Sequence, residues 1–200
     1  MNLHNSISLF IKFLFDFFVS FIALIVLSPF LLIISLMILI FLGKPIFFIQ
    51  KRAGKGGKTF YLFKFRTMKN QINNMSDKDR MTYFGSLLRD FSIDELPSLV
   101  NIMRGEMSIV GPRPLLEEYL DIYTDDQKKR HELKPGLTGW AQINGRNDIS
   151  WEKKFEYDLW YIKNRSFYLD LKIIFKTIIK VITKEDIKLK GEVTTKKFEK

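Results

Sequence analysis

Asp94 and Glu95 stand side by side in the stretch FSIDELPSLV (91–100) of a chain whose formal net charge is +10. A carboxylate at a helix N-terminus tends to stay ionised. Beside a metal-bridged diphosphate such a group can attack phosphorus and form an acyl phosphate, while its neighbour shares the cation or positions the reacting groups. A second reading is purely structural. Ser92-x-x-Glu95 is a capping-box pattern, Asp94 is itself a good N-cap, and Pro97 is tolerated in a first helical turn.

The cations nearby weigh against a cap alone. In GEMSIVGPRPLL (105–116) both Gly111 and Arg113 precede a proline, which restricts their backbone. Arg113 is thereby presented on a stiff stem, and a guanidinium suits forked phosphate recognition. Lys64, Arg66, Arg89 and Arg146 are further cations on segments bounded by a hairpin or by glycine loops. Each alone reads as a solvated surface charge. Together with a helix N-terminus they make a pocket for a diphosphate.

Composition narrows the chemistry. With no cysteine, disulfides and thiolate metal sites are excluded, and two histidines are too few for an imidazole-built zinc site. Any metal is expected to be a hard cation held by carboxylates and phosphates. The positive balance points to a phosphorylated substrate, anionic lipid or nucleic acid. GGKT (56–59) is a decoy: Arg52 stands where a P-loop needs its first glycine, and a strand rather than a helix follows.

The elements that must position these residues begin with an apolar head. From Phe13 to Leu42 the chain is almost wholly apolar, about thirty residues against the ~20 of an ordinary span. Ser28-Pro29 interrupts it, and each half is ~22 Å long, short of a ~30 Å hydrocarbon core. Two readings stand: a tilted, kinked spanning helix with the basic body inside, or a re-entrant hairpin that enters and leaves by one face. Residues 1–42 thus form a membrane segment and 43–200 a catalytic body on the cytoplasmic face.

In the body, IFFIQKR and TFYLFKFRTM flank AGKGGK and predict a β-hairpin. RMTYFGSLLRDF has Met81, Phe84, Leu88 and Phe91 at helical spacing. Two short helices are expected within 115–133, the second opening with Thr124-x-x-Gln127. KPGLTGWAQINGRND (134–148) reads as a structured loop and 151–163 as an aromatic helix. Lys172, Lys176, Lys180, Lys184 and Lys188 recur every fourth residue beside an Ile/Phe stripe, which predicts an amphipathic helix lying in an anionic headgroup layer. The expected fold class is α+β, mostly helical.

In order, Ser28-Pro29, Gln50-x-Arg52-x-Gly54-x-x-Gly57-x-x-Phe60, Lys64-Phe65-Arg66-Thr67-Met68, Ser92-Ile93-Asp94-Glu95-Leu96-Pro97, Gly111-Pro112-Arg113-Pro114, Pro135-Gly136-Leu137-Thr138-Gly139-Trp140-Ala141-Gln142 and Asn144-Gly145-Arg146-Asn147 resemble the monotopic bacterial phosphoglycosyl transferases. The resemblance runs from about residue 12 to the C-terminal tail. It implies a re-entrant N-terminal helix bent at Ser28-Pro29, in the inner membrane of a bacterium. Asp94 maps onto the family nucleophile, with Glu95 completing the dyad and Mg²⁺ on the diphosphate. The resemblance further implies that Asp94 attacks the β-phosphorus of a UDP-sugar, that UMP leaves, and that polyprenol phosphate then takes the phosphosugar. Arg113 and Arg146 match family arginines expected to bind phosphate.

Where members often carry Lys-Arg before the helix aspartate, this chain has Lys12-Phe13, so Asp16 lacks that arginine. The compact length, ISWEKKFEYD (149–158) and the tail GEVTTKKFEK look most like the small transferases that use UDP-N,N′-diacetylbacillosamine and initiate glycans for protein glycosylation. Other UDP-sugars are the near alternative, and downstream glycosyltransferases are the implied partners. No nucleic-acid module is recognisable, and a membrane-tethered basic binding protein without turnover is the rival reading.

Overall fold

The computed structural model describes residues 3–71, 75–145, 149–183 and 198. It begins with one long helix, α1 (Leu3–Phe41). Ser28 Oγ donates to the Ile25 carbonyl at 2.8 Å, and the helix continues through Pro29. Among the described residues this is the one helix long and apolar enough to cross a membrane. Ile22, Val26, Leu32, Ile33, Leu36 and Ile40 are exposed along it.

Both halves of α1 meet the body. Phe15, Ala23 and Leu24 pack on a core of Leu62, Leu99, Ile102, Val110 and Ile173, while Ile34 and Ile38 pack with Phe65 and Leu88. Near its start, Lys12 Nζ donates to Asp170 at 2.6 Å, and Ser108 Oγ donates to Asp16 at 2.6 Å. Lys12 thus serves as the partner that the missing arginine leaves open, lying 3.7 Å from Asp16 as well. At its far end, Arg66 donates to the Leu42 and Gly43 carbonyls.

The hairpin forms as the two runs flanking AGKGGK predict. Strands β1 (Phe47–Ala53) and β2 (Thr59–Phe65) pair antiparallel, with Arg52 opposite Phe60 and Phe48 opposite Lys64. Period-two alternation therefore puts Arg52 and Lys64 on the same face. Two helices follow, α2 (Asp77–Arg80) and α3 (Tyr83–Asp90), the second starting later than Met81 because the Thr82 hydroxyl caps it by accepting from Gly85 N–H.

The segment bearing the acid pair is a 3₁₀ turn, Ile93–Ser98, leading into α4 (Leu99–Met103). The helical turn thus begins at Ile93, with both acids in its first turn, but it is 3₁₀ rather than α. Ser92 is left-handed at φ 53° and its side chain makes no cap bond, so the capping box is not formed. A different capping box does form, at Thr124 and Gln127, opening α5 (Asp125–Lys128).

The loop expected over 134–148 holds more structure than its glycines suggest. Strand β3 (Ser108–Val110) pairs in parallel with β4 (Gly136–Thr138), and α6 (Trp140–Ile143) follows. The crossing is tight: a Cβ on Gly136 would lie 2.1 Å from the Gly111 nitrogen, and one on Gly111 would lie 2.4 Å from the Lys134 carbonyl oxygen. Only glycines allow the two backbones this close, and Gly111 opens the arm that carries Arg113. Helices α7 (Trp151–Asn164) and α8 (Phe167–Thr183) complete the body. Lys172, Lys176 and Lys180 lie on α8 with exposed Phe175, Ile178 and Ile182; Lys184 and Lys188 fall outside the described residues.

Candidate active site

Four elements converge on the acid pair. The hairpin face supplies Lys64 and Arg52, α3 supplies Arg89, the 3₁₀ turn supplies the acids, and the β3 arm supplies Arg113. Lys64 Nζ donates to Glu95 Oε1 at 2.6 Å, and Arg113 Nη2 donates to the same oxygen at 2.9 Å. The Lys64 and Glu95 side chains are each 17% exposed, while Arg113 is 47% exposed. Glu95 is therefore the pinned member of the pair, and Asp94, 9% exposed, stands outside these two bridges.

The electrostatics divide the acids accordingly. Burial pushes the Asp94 carboxyl up from its ordinary 3.8 to about 6, reinforced by the charge of Glu95 and opposed by Lys64, Arg89 and Arg113. Burial would raise Glu95 too, but Arg113 and Lys64 outweigh it and hold that carboxyl far below its usual range. At neutral pH both acids are ionised, with very different proton affinities. Arg113 is raised in turn, chiefly by Glu95. Arg89 is lowered by burial and held up by Asp94, and its Nε donates to Thr67 Oγ1 at 2.9 Å.

Arg52 joins this set although its sequence position singled it out only as part of a motif. Burial, then the neighbouring Arg113, lowers it to about 10, so it stays charged at neutral pH. Its Nη1 donates to the Pro114 carbonyl at 3.1 Å and its Nη2 to Gln50 Oε1 at 2.6 Å, which ties the hairpin to the Arg113 arm. Two-residue alternation between Gln50 and Arg52 was the available signal. Arg130 is the other residue that spacing missed: Nη2 donates to the Arg113 carbonyl at 2.7 Å and to Asp158 at 2.7 Å, fixing the arm from behind.

The Arg66 guanidinium holds the C-terminal end of α1 and Asn70, bracing α1 against β2, and it also lines the cleft that holds the acid pair. Arg146 lies outside the described residues. Ser28 and Pro29 lie on α1, where Ser28 Oγ donates to the Ile25 carbonyl.

A cleft of about 1270 Å³ runs over Asp94 and Glu95, lined also by Arg52, Lys64, Arg89 and Arg113. Ten lysines and arginines against four acids among its lining residues leave it positive, suited to a diphosphate. Its lining includes the aliphatic Ile174, Ile178 and Ile182 of α8 and the aromatic Tyr119, Trp151 and Phe155. Among the described residues no three acids or histidines cluster as a ready-made metal cage. The donor set fits a Mg²⁺ brought in on phosphate oxygens and completed by one or two carboxylates, from Asp94 and the Glu95 oxygen that the two bridges leave open.

Known proteins resemble this chain over most of its length. The family model described as "Bacterial sugar transferase" matches residues 7–184. An uncharacterized sugar transferase, EpsL, of Bacillus subtilis is 55% identical over 161 residues, covering 78% of this chain and 80% of that protein. The UDP-glucose:undecaprenyl-phosphate glucose-1-phosphate transferase of Xanthomonas campestris is 42% identical over 176 residues, 80% of this chain but 36% of that protein. The undecaprenyl-phosphate galactose phosphotransferase of Salmonella typhimurium is 35% identical over 211 residues, 92% of this chain and 43% of that protein.

Proposed function

The chain belongs to the bacterial sugar transferase family and is a transferase enzyme, and from that premise we propose that it moves a sugar 1-phosphate from a UDP-sugar to undecaprenyl phosphate through Asp94. The carrying observation is the division of the dyad. Glu95 is pinned and neutralised by Lys64 and Arg113, which leaves Asp94 as the buried carboxylate of higher proton affinity and hence the better nucleophile.

The reaction then runs in two displacements. An Asp94 carboxylate oxygen attacks the β-phosphorus, the bond from that phosphorus to the bridging oxygen breaks, and UMP leaves with the electron pair. A phosphate oxygen of the polyprenol phosphate then attacks the same phosphorus and releases the Asp94 carboxylate. Arg52, Arg89 and Arg113, with Lys64, hold the phosphoryl oxygens and take up charge as it develops. Bound Mg²⁺ supplies further neutralisation of the diphosphate. Since the Asp94 carboxyl titrates near 6, it is ionised and available at neutral pH.

The membrane arrangement follows from where α1 is held. Its start is tied to the body through Asp16 and Lys12, and its end through Arg66. A helix with both ends fixed to one body on one side of a bilayer does not cross it, which supports a re-entrant helix bent about Ser28-Pro29. The positive body then faces the cytoplasm of a bacterial inner membrane. The basic, apolar-striped α8 lies in the same headgroup layer. The acceptor's isoprenoid chain enters along Ile174, Ile178 and Ile182 of the cleft lining, while its phosphate reaches the cations.

On the sugar, two readings have support. The ISWEKKFEYD block favours N,N′-diacetylbacillosamine, whereas the names of the Xanthomonas and Salmonella relatives carry glucose and galactose. A panel of UDP-sugars with Mg²⁺ and undecaprenyl phosphate, read as UMP release, separates them. Release from one donor names the sugar; no release from any donor, with polyanion binding that survives Asp94→Asn, returns the chain to the binding-protein reading.

A further inference from the structure

Phe198, from the C-terminal tail, packs its ring among Phe155 (5.1 Å between centroids), Trp151 (5.5 Å), Tyr119 (5.6 Å) and Tyr123 (5.9 Å). Its backbone N–H donates to the Tyr119 hydroxyl at 3.1 Å. Tyr119, Trp151 and Phe155 are also walls of the cleft that holds the acid pair. A residue far along the chain therefore touches three side chains that the substrate would meet.

This corner continues the set of cations. Lys154 Nζ lies 4.5 Å over the Trp151 ring, and burial, then the charge of Arg113, lowers the proton affinity of its ammonium. The Arg130 guanidinium lies 5.8 Å over the Phe155 ring while donating to the Arg113 carbonyl. Arg113, which bridges to Glu95, is tied through its carbonyl to Arg130 beside the Phe155 ring, and Phe155 stacks on Trp151 at 6.0 Å between centroids. A flat heteroaromatic ring attached to a diphosphate matches that juxtaposition, since bases stack on aromatic side chains and every base offers a π-face.

We propose that the Trp151–Lys154 corner is the base-binding end of the cleft, taking the uracil of the nucleotide donor, and that Phe198 braces this corner from the C-terminal tail. The proposal rests on the UDP-sugar reading above. Phe198 acts as a positioning residue. Without its ring, Trp151, Phe155 and Tyr119 lose their shared neighbour and the wall can re-orient. The loss falls on donor binding, because Phe198 touches none of the residues at the phosphorus.

The test uses the full chain in lipid nanodiscs. Titration calorimetry with UDP measures binding without turnover, and UMP release gives kcat and the two KM values. Phe198→Ala is expected to raise the Kd for UDP and the donor KM about tenfold, with kcat and acceptor KM within twofold and Tm nearly unchanged. Phe198→Leu recovers most of the affinity, and Trp151→Ala weakens UDP at least as much as Phe198→Ala. Tighter UDP binding in Phe198→Ala overturns the brace and makes the tail a competitor. Unchanged UDP binding in Trp151→Ala places the base elsewhere. A joint fall of kcat, both affinities and Tm in Phe198→Ala reduces the contact to folding and also overturns the proposal. Binding of UDP that depends on Trp151 and Phe198, in a wild-type chain that releases no UMP, supports the subsite while contradicting the transfer reaction.

Discussion

Arg113 Nη2 donates to Glu95 Oε1 across 2.9 Å, on an oxygen that Lys64 Nζ already occupies at 2.6 Å. One acid of an adjacent pair is thus committed to two cations, and the other is left to react. Neighbours in sequence acquire opposite properties because only one of them faces both the hairpin and the β3 arm.

The pH profile should report that division. Asp94 must be ionised to attack, and its folded value near 6 lies above its ordinary 3.8. Donor-dependent UMP release, followed as kcat/KM in the free enzyme, is expected to fall on the acid side with a midpoint near pH 6. A midpoint near 4 would show that burial does not perturb this dyad. Glu95, held low, should contribute no limb in the accessible range.

Stability carries the same signature with the sign reversed from activity. An acid whose folded value is raised binds its proton more tightly when folded, so its ionisation costs stability as pH rises from about 4 to about 6. The shift corresponds to at most ~3 kcal/mol. Asp94→Asn removes the buried charge, and is expected to abolish UMP release while raising Tm at pH 8, by roughly 2–4 °C per kcal/mol. At pH 4 the gain in Tm should largely vanish. Thermal unfolding at the two pH values checks both statements.

Arg66 and Arg113 look alike in the sequence, each a cation on a restricted segment, and the geometry separates them. Arg66→Gln should lower Tm, because the Leu42 and Gly43 carbonyls at the end of α1 lose their donor. Its donor KM should change less than threefold. Arg113→Gln should instead raise the donor KM by about 10- to 100-fold, the size of a lost charge-assisted phosphate contact of ~1.5–3 kcal/mol. Steady-state kinetics beside a melting curve distinguishes the two outcomes.

Much of this was legible from residue types alone. IFFIQKR and TFYLFKFRTM, rich in Phe, Ile and Tyr on either side of AGKGGK, disclosed the hairpin, and the apolar run disclosed α1. The acid pair and Arg113 stood out because prolines and glycines restrict the backbone around them. What the chain did not disclose depends on contacts between distant segments. The parallel pairing of β3 with β4 has three residues on each strand, too few for a periodic signal. Ser92 looked like a cap, but its left-handed backbone and the pull of Lys64 and Arg113 on Glu95 remove the capping box. Arg52 and Arg130 carry ordinary sequence contexts and acquire their roles only where the hairpin and the 129–132 turn meet the Arg113 arm.

The central claim is that Asp94 becomes covalently loaded. Intact-protein mass spectrometry, after mixing the enzyme with Mg²⁺ and a panel of UDP-sugars in the absence of polyprenol phosphate, tests it directly. The account predicts an adduct of one sugar phosphate that is missing in Asp94→Asn and is discharged by adding undecaprenyl phosphate. No adduct with a donor that nonetheless yields UMP once undecaprenyl phosphate is present would contradict it, and would establish direct transfer between the two bound substrates.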